Sequence, residues 1–302
     1  MQTIIMTVGT SLLTNLDKEL ENKRPWLGQK TIGDPQRALA WMKETDLELI
    51  SAETNTYWRL DPTSHDALIL LHSETPSGLE CAQILKLYFE QELGQHTISL
   101  VPLPGINYAL DQQGSSLEHM AQMLTQLVEQ AQGTITFAAT GGFKAQTMIM
   151  ALVGNQCGIP VCYIHEQYNG LVYLPYLSGG TKHQQRVIRA DLPDSGRKRS
   201  DVIQVQANIA HHRPRSWAKV EKLLQEIPWV DLVRYDPQAY SAPKNALKSS
   251  PRQTPDGRHI LWIHLHESED THMAVMVETT GHTPAHLEQS ATELRERLGR
   301  LL

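Results

Sequence analysis

Short apolar runs alternate with amphipathic helical patterns along the first 177 residues of the chain. The apolar runs predict strands at 4–8, 67–71, 98–103, 134–138, 160–164 and 172–174. The patterns between them predict helices at 35–45, 78–93, 116–130 and 144–157. Such repetition is typical of a doubly wound sheet with helices on both faces. The predicted fold class is therefore α/β with a Rossmann-like, mostly parallel sheet, whose ligands bind beyond the carboxyl ends of the strands.

The pattern changes after residue 177. Glycine, proline and charged residues predict a linker at 178–200, and the remainder, 201–302, predicts a smaller α+β domain. In that domain we expect a basic polar loop at 242–258 and a hairpin that pairs 260–266 with 273–279. Further elements are expected as a strand at 202–205, a helix at 216–227, a strand at 229–234, and a helix capped by Thr283 that begins at Pro284 and ends at Leu301.

Composition narrows the possible functions of the 302 residues. With 27 Lys and Arg against 33 Asp and Glu, the net charge is −6, so a nucleotide partner is expected at a local basic site rather than over the whole surface. Cys81, Cys157 and Cys162 lack metal-type spacing and predict idle thiols in a reducing compartment. There is neither a leader pattern nor an apolar run of about 18 residues, so we expect a cytoplasmic protein without a membrane segment.

Two short motifs follow predicted strands and suit a polyanion. The first is Thr-Val-Gly-Thr-Ser at 7–11, and the second is Thr-Gly-Gly-Phe-Lys at 140–144. Glycine lets the backbone approach a phosphate, and free amides at the next helix start donate to it. Neither motif has the spacing of the dinucleotide fingerprint or of a Walker loop. Taken alone, each is equally well explained as an ordinary strand-to-helix turn.

Together with Ser-Ala-Glu-Thr-Asn at 51–55 and His-Ser-Glu-Thr-Pro-Ser-Gly at 72–78, these motifs resemble the CRISPR-associated Rossmann-fold (CARF) sensors of type III systems, close to the ring-nuclease branch. The resemblance covers roughly residues 1–177. It implies a homodimer that binds a cyclic oligoadenylate, in particular the cyclic tetra-adenylate, as activating ligand in antiviral defence. The implied ligand-binding residues are Gly9, Thr10, Ser11, Asn15, Ser73, Thr75, Gly78, Gly141, Gly142, Phe143 and Lys144.

The same resemblance implies a possible cleavage of the ligand. In ring nucleases a serine of the first loop and a lysine of the later glycine motif assist attack of a ribose 2′-hydroxyl on the adjacent phosphate, and here they would be Ser11 and Lys144. No metal or other cofactor would be needed. The alternative is that both residues only bind.

The C-terminal part loosely resembles the RelE-like mRNA interferases. Its predicted strands argue against an all-helical ribonuclease, and no carboxylate pattern of a restriction-type nuclease is present. The resemblance implies a metal-independent ribonuclease acting on RNA, for instance on ribosome-bound mRNA. Its expected catalytic residues are Lys244, Lys248, Arg252, Arg258 and His282. The acidic hairpin, with Glu267, Glu269, Asp270 and Glu278, departs from an RNA-cutting surface.

The histidines and tryptophans of the C-terminal part each have more than one possible role. His264 and His266 share a strand face with a spacing that can hold a metal, but no cysteine or carboxylate completes a pattern, so no metal is assigned. Tryptophans 217, 229 and 262 either stack on bases or fill a small core, and core packing is expected for at least two of them.

The function we expect is that of a dimeric sensor whose ligand activates a C-terminal ribonuclease. One alternative is a ring nuclease that ends the response. The other is a ligand-controlled regulator without enzymatic activity, which is weakened because 216–234 predicts a helix and then a strand rather than a helix-turn-helix.

Overall fold

A computed structural model describes residues 2–14, 23–103, 115–165, 170–175, 190–205, 213–299 and 301. The chain divides into two compact units. The first unit comprises Met1–Ile164 and Leu174–Lys182, and the second comprises His165–Tyr173 and His183–Leu302. The predicted linker at 178–200 lies partly outside the described residues.

The first sheet has the strand order β3-β2-β1-β4-β5-β6. Its strands are β1 (Gln2–Val8), β2 (Ala67–Ser73), β3 (Thr97–Leu103), β4 (Thr134–Ala138), β5 (Val161–His165) and β6 (Gly170–Tyr173). Pairing is parallel from β3 through β5. Every residue of β1 is buried, as expected of a central strand covered on both faces. The predicted fold class, α/β with a mostly parallel Rossmann-like sheet, is confirmed.

Helices connect these strands. They are α1 (Ser11–Thr14), α2 (Pro35–Lys43), α3 (Leu47–Ile50), α4 (Ala52–Leu60), α5 (Pro76–Gln91), α6 (Ser115–Gln130) and α7 (Lys144–Cys157). Sequence patterns missed α3 and α4, because α4 buries polar residues. Its start is encoded by Ser51 and Thr54, whose side chains each accept the other's backbone amide, at 3.2 and 3.0 Å.

The second sheet is antiparallel, in the order β7-β10-β9-β8. Its strands are β7 (Val230–Tyr235), β8 (Ala246–Gln253), β9 (His259–Ser268) and β10 (Thr271–Thr279). The predicted hairpin is therefore present as β9 and β10. One face of this sheet packs against α8 (Trp217–Glu226) and α9 (Pro284–Gly299). No helix among the described residues is long and apolar enough to cross a membrane.

Two elements of the second unit differ from the sequence predictions. The predicted strand at 202–205 is only a single bridge between Ile203 and Val233. The predicted basic loop at 242–258 contains β8, which pairs with β9 alone. An edge strand has one hydrogen-bonded side, so it tolerates the basic residues and Pro251 that made this segment look like a loop.

Candidate functional site

The carboxyl ends of β1 and β4 lie side by side at the centre of the first sheet. The two strands are parallel neighbours, with Met6 opposite Ala138. β2 and β3 lie on one side of this pair and β5 and β6 on the other, so the chain order reverses between β1 and β4. A switch point of this kind forms the crevice in which α/β proteins bind ligands. Both motifs singled out in the sequence, at 7–11 and 140–144, span or follow these strand ends.

The buried carboxylate of Glu53 holds the loop after β1. Glu53 is 0% exposed, and its Oε1 and Oε2 accept hydrogen bonds from the Gly9 amide (2.8 Å) and the Ser11 hydroxyl (2.7 Å). The Ser11 hydroxyl accepts in turn from the Ala52 amide, at 3.2 Å. These charge-assisted bonds offset the cost of burying the carboxylate. Sequence reasoning missed the role of Glu53, because a carboxylate is not expected beside a polyanion.

Glycine permits close contact between the loops after β1 and β4. A Cβ atom on Gly9 would lie 2.5 Å from the Gly142 amide nitrogen, and one on Gly141 would lie 2.2 Å from Glu53 Oε1. Gly142 has a φ of +87°, and a Cβ there would meet Gln146 Oε1 at 1.9 Å. Because only glycine fits these three positions, the two motifs form one structure rather than two independent turns.

Lys144 begins α7 at the same edge, and its side chain is exposed. The amides of Lys144 and Ala145, in the first helical turn, have no intrahelical acceptor. The helix dipole adds partial positive charge at this end. The crevice between β1 and β4 therefore has a cation and helix-terminal amides along one wall.

The loop after β2 reaches the same edge, because β2 is the other parallel neighbour of β1. Thr75 caps α5 by accepting a hydrogen bond from the Gly78 amide (3.2 Å), and its hydroxyl lies 2.8 Å from that of Ser73. Gly78 has no room for a side chain, since a Cβ would lie 2.2 Å from the Ser73 hydroxyl. Of the predicted ligand-binding residues, Asn15 lies outside the described residues.

Arg24 and Trp26 fix the loop after β1 from the protein interior. The Arg24 guanidinium, 3% exposed, donates to the carbonyl oxygens of Ser11 (3.0 Å) and Leu12 (2.6 Å). The Trp26 indole also donates to the Leu12 carbonyl, at 2.9 Å. Neither residue was predicted, because they are distant from every motif in sequence.

Two of the three cysteines are buried. Cys81 and Cys162 are fully buried, and burial raises the pKa of each thiol to about 12. A thiol with such a pKa has almost no thiolate at neutral pH. This burial fits the predicted idle thiols at Cys81 and Cys162, while Cys157 is partly exposed.

Arg258 and His282, predicted for the effector, lie where β9 begins and β10 has ended. Arg258 donates to Asp231 (2.7 Å) and Asp256 (2.7 Å) and lies 3.7 Å from Glu278. Burial alone would lower the pKa of the Arg258 guanidinium, but its hydrogen bonds to Asp231 and Asp256 outweigh that and raise the pKa. This guanidinium is therefore engaged in ion pairs that stabilise the sheet.

The other predicted effector residues lie on or just before β8. Lys248 is the register partner of Trp262. Arg252 forms an ion pair with Asp236, and its guanidinium carbon lies 5.6 Å from the centre of the Trp262 ring. Lys244 is exposed and lies two residues before β8. Basic residues are thus divided between two parts of the sheet, and their catalytic assignment stays a prediction.

The three tryptophans of the second unit are buried. Trp217 and Trp229 belong to the core between the sheet and its helices, and Trp262 belongs to a smaller core on the other face. Within the described ranges, no group of three or more His, Cys, Asp or Glu residues is arranged to hold a metal ion.

Comparison with known families identifies similarity mainly within the first unit. The family described as CRISPR-associated protein (Cas_APE2256) matches residues 48–177, which is less than half of the chain. The matched segment contains Glu53, the loop after β2 and the whole 140–144 motif. This similarity supports a CRISPR-associated protein. A search of curated proteins finds no match to the chain.

Proposed function

We propose that the first unit binds a cyclic oligoadenylate at the crevice between β1 and β4, and that the ligand controls a ribonuclease activity of the second unit. One observation carries the proposal: both glycine motifs meet at the switch point, with Lys144 and the start of α7 on one wall. The similarity to a CRISPR-associated family supports an adenylate messenger as the polyanion.

The proposed binding form is a homodimer. α7 exposes an apolar stripe next to Lys144, with Met148 65% and Leu152 59% exposed, and Phe143, the residue before α7, is 51% exposed. An isologous pairing through such a stripe would place two copies of the crevice around a two-fold axis. A cyclic ligand with two-fold symmetry would then meet identical donors from each subunit.

Cleavage of the ring is a second candidate activity, favoured by the hydrogen bond from Ser11 to Glu53. The Ser11 hydroxyl donates its hydrogen to Glu53 and accepts from the Ala52 amide, so its oxygen keeps one lone pair that can accept the hydrogen of a ribose 2′-hydroxyl. Attack of that 2′-hydroxyl on the adjacent phosphorus breaks the bond to the 5′-oxygen. The 2′-hydroxyl gives its proton to water and the 5′-oxygen takes one from water, which leaves a 2′,3′-cyclic phosphate and a 5′-hydroxyl. Lys144 would stabilise the charge that grows on the phosphate oxygens.

The test incubates the purified chain with labelled cyclic tetra-adenylate and with labelled RNA, each with and without the other. The proposal expects the ring to bind and RNA cleavage to rise when it is present. Ring cleavage, if it occurs, should yield 2′,3′-cyclic phosphate ends in the presence of EDTA. RNA cleavage that is the same with and without the ring would contradict control of the second unit.

A further inference from the structure

Three histidines share the face of the second sheet that lies opposite the helices. Leu265 and Met273 pack with α8 and α9 in the core. Since side chains alternate across a strand, His264, His266 and His272 lie on the other face. His266 on β9 and His272 on β10 are register partners, so backbone pairing holds their Cβ atoms close together.

The three rings converge. The ring centres of His266 and His272 are 5.8 Å apart, with an interplanar angle of 33°. The His264 ring centre lies 6.1 Å from that of His266 and 6.3 Å from that of His272. Tyr240 packs edge-on against His264 at 5.2 Å and His272 at 5.3 Å. The cluster is thus fixed by two strands and an aromatic wall.

His264 is the buried member, at 7% exposure. Its Nδ1 lies 3.0 Å from the Ala242 carbonyl oxygen, which fixes a hydrogen on Nδ1 and leaves Nε2 as the acceptor. Within the described part of the chain this Nε2 is buried without a hydrogen-bond partner, as is Nδ1 of His272. Burying a polar atom without a hydrogen-bond partner costs free energy. Such atoms are therefore typical of a site whose ligand supplies the missing hydrogen bonds.

Charges of both signs lie near the cluster: Arg252 is paired with Asp236, and the turn between β9 and β10, residues 267–270, is acidic. Lys248 and Arg252 of β8 lie on the same sheet face, since Lys248 pairs with Trp262 and Arg252 stacks on that ring. His282, by contrast, follows the far end of β10 at Thr279, which is seven residues and about 23 Å from His272 at about 3.3 Å per strand residue.

We propose that His266 and His272 are the acid–base pair of an RNA-cleaving centre and that His264 is a positioning residue for them. This inference rests on the proposed ribonuclease function of the second unit. It places the proton transfers at the histidine cluster and not at His282.

The reaction balances without a co-reactant. The neutral histidine of the pair takes the proton of a ribose 2′-hydroxyl as its oxygen forms a bond to the adjacent phosphorus. The bond from phosphorus to the 5′-oxygen breaks, and the protonated histidine gives its proton to that oxygen. The products are a 2′,3′-cyclic phosphate and a 5′-hydroxyl end.

The distance between the two rings suits this step. Both side chains are partly exposed. With hydrogen bonds of about 2.8 Å on either side, two groups about 6 Å apart can both reach oxygens of one phosphodiester. Lys248 lies on the same face and can attract the phosphate backbone of RNA, whereas the charge of Arg252 is paired with Asp236.

The protonation of the pair depends on charged and titratable neighbours from each adjoining element. Lys244 before β8, Tyr240 from the preceding turn, and His264 on β9 all face the cluster. Burial, with repulsion from the other histidines and Lys244, lowers the pKa of His264, so it stays neutral near pH 7. Burial and a hydrogen bond with Tyr235 raise the pKa of Tyr240 to about 12.

The test measures cleavage of a labelled single-stranded RNA by the full chain with EDTA, with and without cyclic tetra-adenylate, from pH 5 to 9. We expect a bell-shaped pH profile and 2′,3′-cyclic phosphate ends. His266→Ala, His272→Ala and the conservative His272→Gln should each lower the rate about 10²- to 10⁴-fold. His264→Ala should shift the pH profile, and the exposed His96→Ala of the first unit should change nothing.

Loss of cleavage in His282→Ala with full activity in His266→Ala and His272→Ala would overturn the inference, as would activity that EDTA removes. Calorimetry on the same protein separates the two proposals. If the ring binds but RNA is not cut under any condition, the histidine centre is wrong while ligand binding stands. If RNA is cut by the histidine centre but no ring binds, the sensor function is wrong and this inference stands.

Discussion

Glu53 and Lys144 carry opposite charges at the same edge of the first sheet, and burial separates their roles. The Glu53 carboxylate is fully buried and accepts the Gly9 amide and the Ser11 hydroxyl. Lys144 is exposed at the start of α7. A polyanion approaching this edge therefore meets the ammonium group and the helix amides, while the carboxylate maintains the shape of the loop.

Replacing Lys144 by alanine should weaken binding of cyclic tetra-adenylate. Loss of one charge-assisted contact is expected to raise Kd about 10- to 100-fold, or about 1.5–3 kcal/mol. Calorimetry measures this directly. Lys86→Ala is the matched control, because Lys86 lies on α5 about 15 Å from its first turn and is paired with Glu90. Equal affinity of wild type and Lys144→Ala would exclude the role given to this lysine.

Replacing Gly141 by alanine should abolish binding and destabilise the first unit. The new Cβ would lie 2.2 Å from Glu53 Oε1 and 2.6 Å from the Thr7 carbonyl oxygen, an overpacking that costs about 1–3 kcal/mol. Gly94→Ala is the control, since it meets nothing within 4 Å and strains only the backbone, at φ +68°. Calorimetry measures ligand binding by both variants, and thermal unfolding measures their stability. Normal binding of cyclic tetra-adenylate by Gly141→Ala would contradict the account.

Individual site residues differ in how far sequence could identify them. Gly9, Gly141 and Lys144 stand in short motifs after apolar runs, so their position at the sheet edge follows from strand prediction alone. Arg24 and Glu53 act through contacts with Ser11 that are 13 and 42 residues distant. Such contacts depend on tertiary packing, which local patterns do not encode.

Among the elements of the second unit, β7, β10 and the turn before β9 are joined by ion pairs. Asp231, whose side chain is 8% exposed, accepts from Arg197 (3.2 Å) and Arg258 (2.7 Å). Burial would raise the pKa of Asp231, but these two hydrogen bonds outweigh it and lower the pKa below its usual 3.8. The stabilisation is therefore complete above pH 3.8 and is lost as the pH falls through the lowered value.

Asp231→Asn should destabilise the second sheet by about 1–3 kcal/mol at pH 7, because both guanidinium groups lose a charged acceptor. The difference from wild type should shrink as the pH falls below 3.8. Hydrogen exchange of β9 and β10 peptides at several pH values reports this unit alone. The exposed Asp201→Asn is the control, and a difference independent of pH would contradict the role of the carboxylate.

Among the elements, strands with apolar runs can be predicted from the sequence, whereas a strand of mostly polar residues cannot. The hairpin of β9 and β10 follows from two apolar runs that are separated by the polar residues 267–270. The sequence of β8 looks like a loop because, of this strand, Leu247 alone belongs to the sheet core, while most of the other residues of this edge strand are polar. The histidine cluster needs the register between β9 and β10 as well as the alternation, and register is set by the three-dimensional pairing.

For the whole molecule, the proposed dimer predicts that the α7 stripe is buried in solution. Leu152→Arg and Met148→Glu should convert a dimer into a monomer, because each puts a charge into an apolar contact. Leu79→Arg is the control, as Leu79 is 38% exposed on α5. Sedimentation analysis of the wild type that shows a monomer with and without cyclic tetra-adenylate would contradict a shared ligand site.

The central claim is that the crevice between β1 and β4 binds a cyclic oligoadenylate. Titration calorimetry of the full chain with cyclic tetra-adenylate, and in parallel with rings of three and six adenylates and with linear tetra-adenylate, tests it most directly. The account predicts binding of one cyclic ring per two chains, weakened by Lys144→Ala and lost in Gly141→Ala. Absence of binding for every ring by the folded wild-type protein would contradict it.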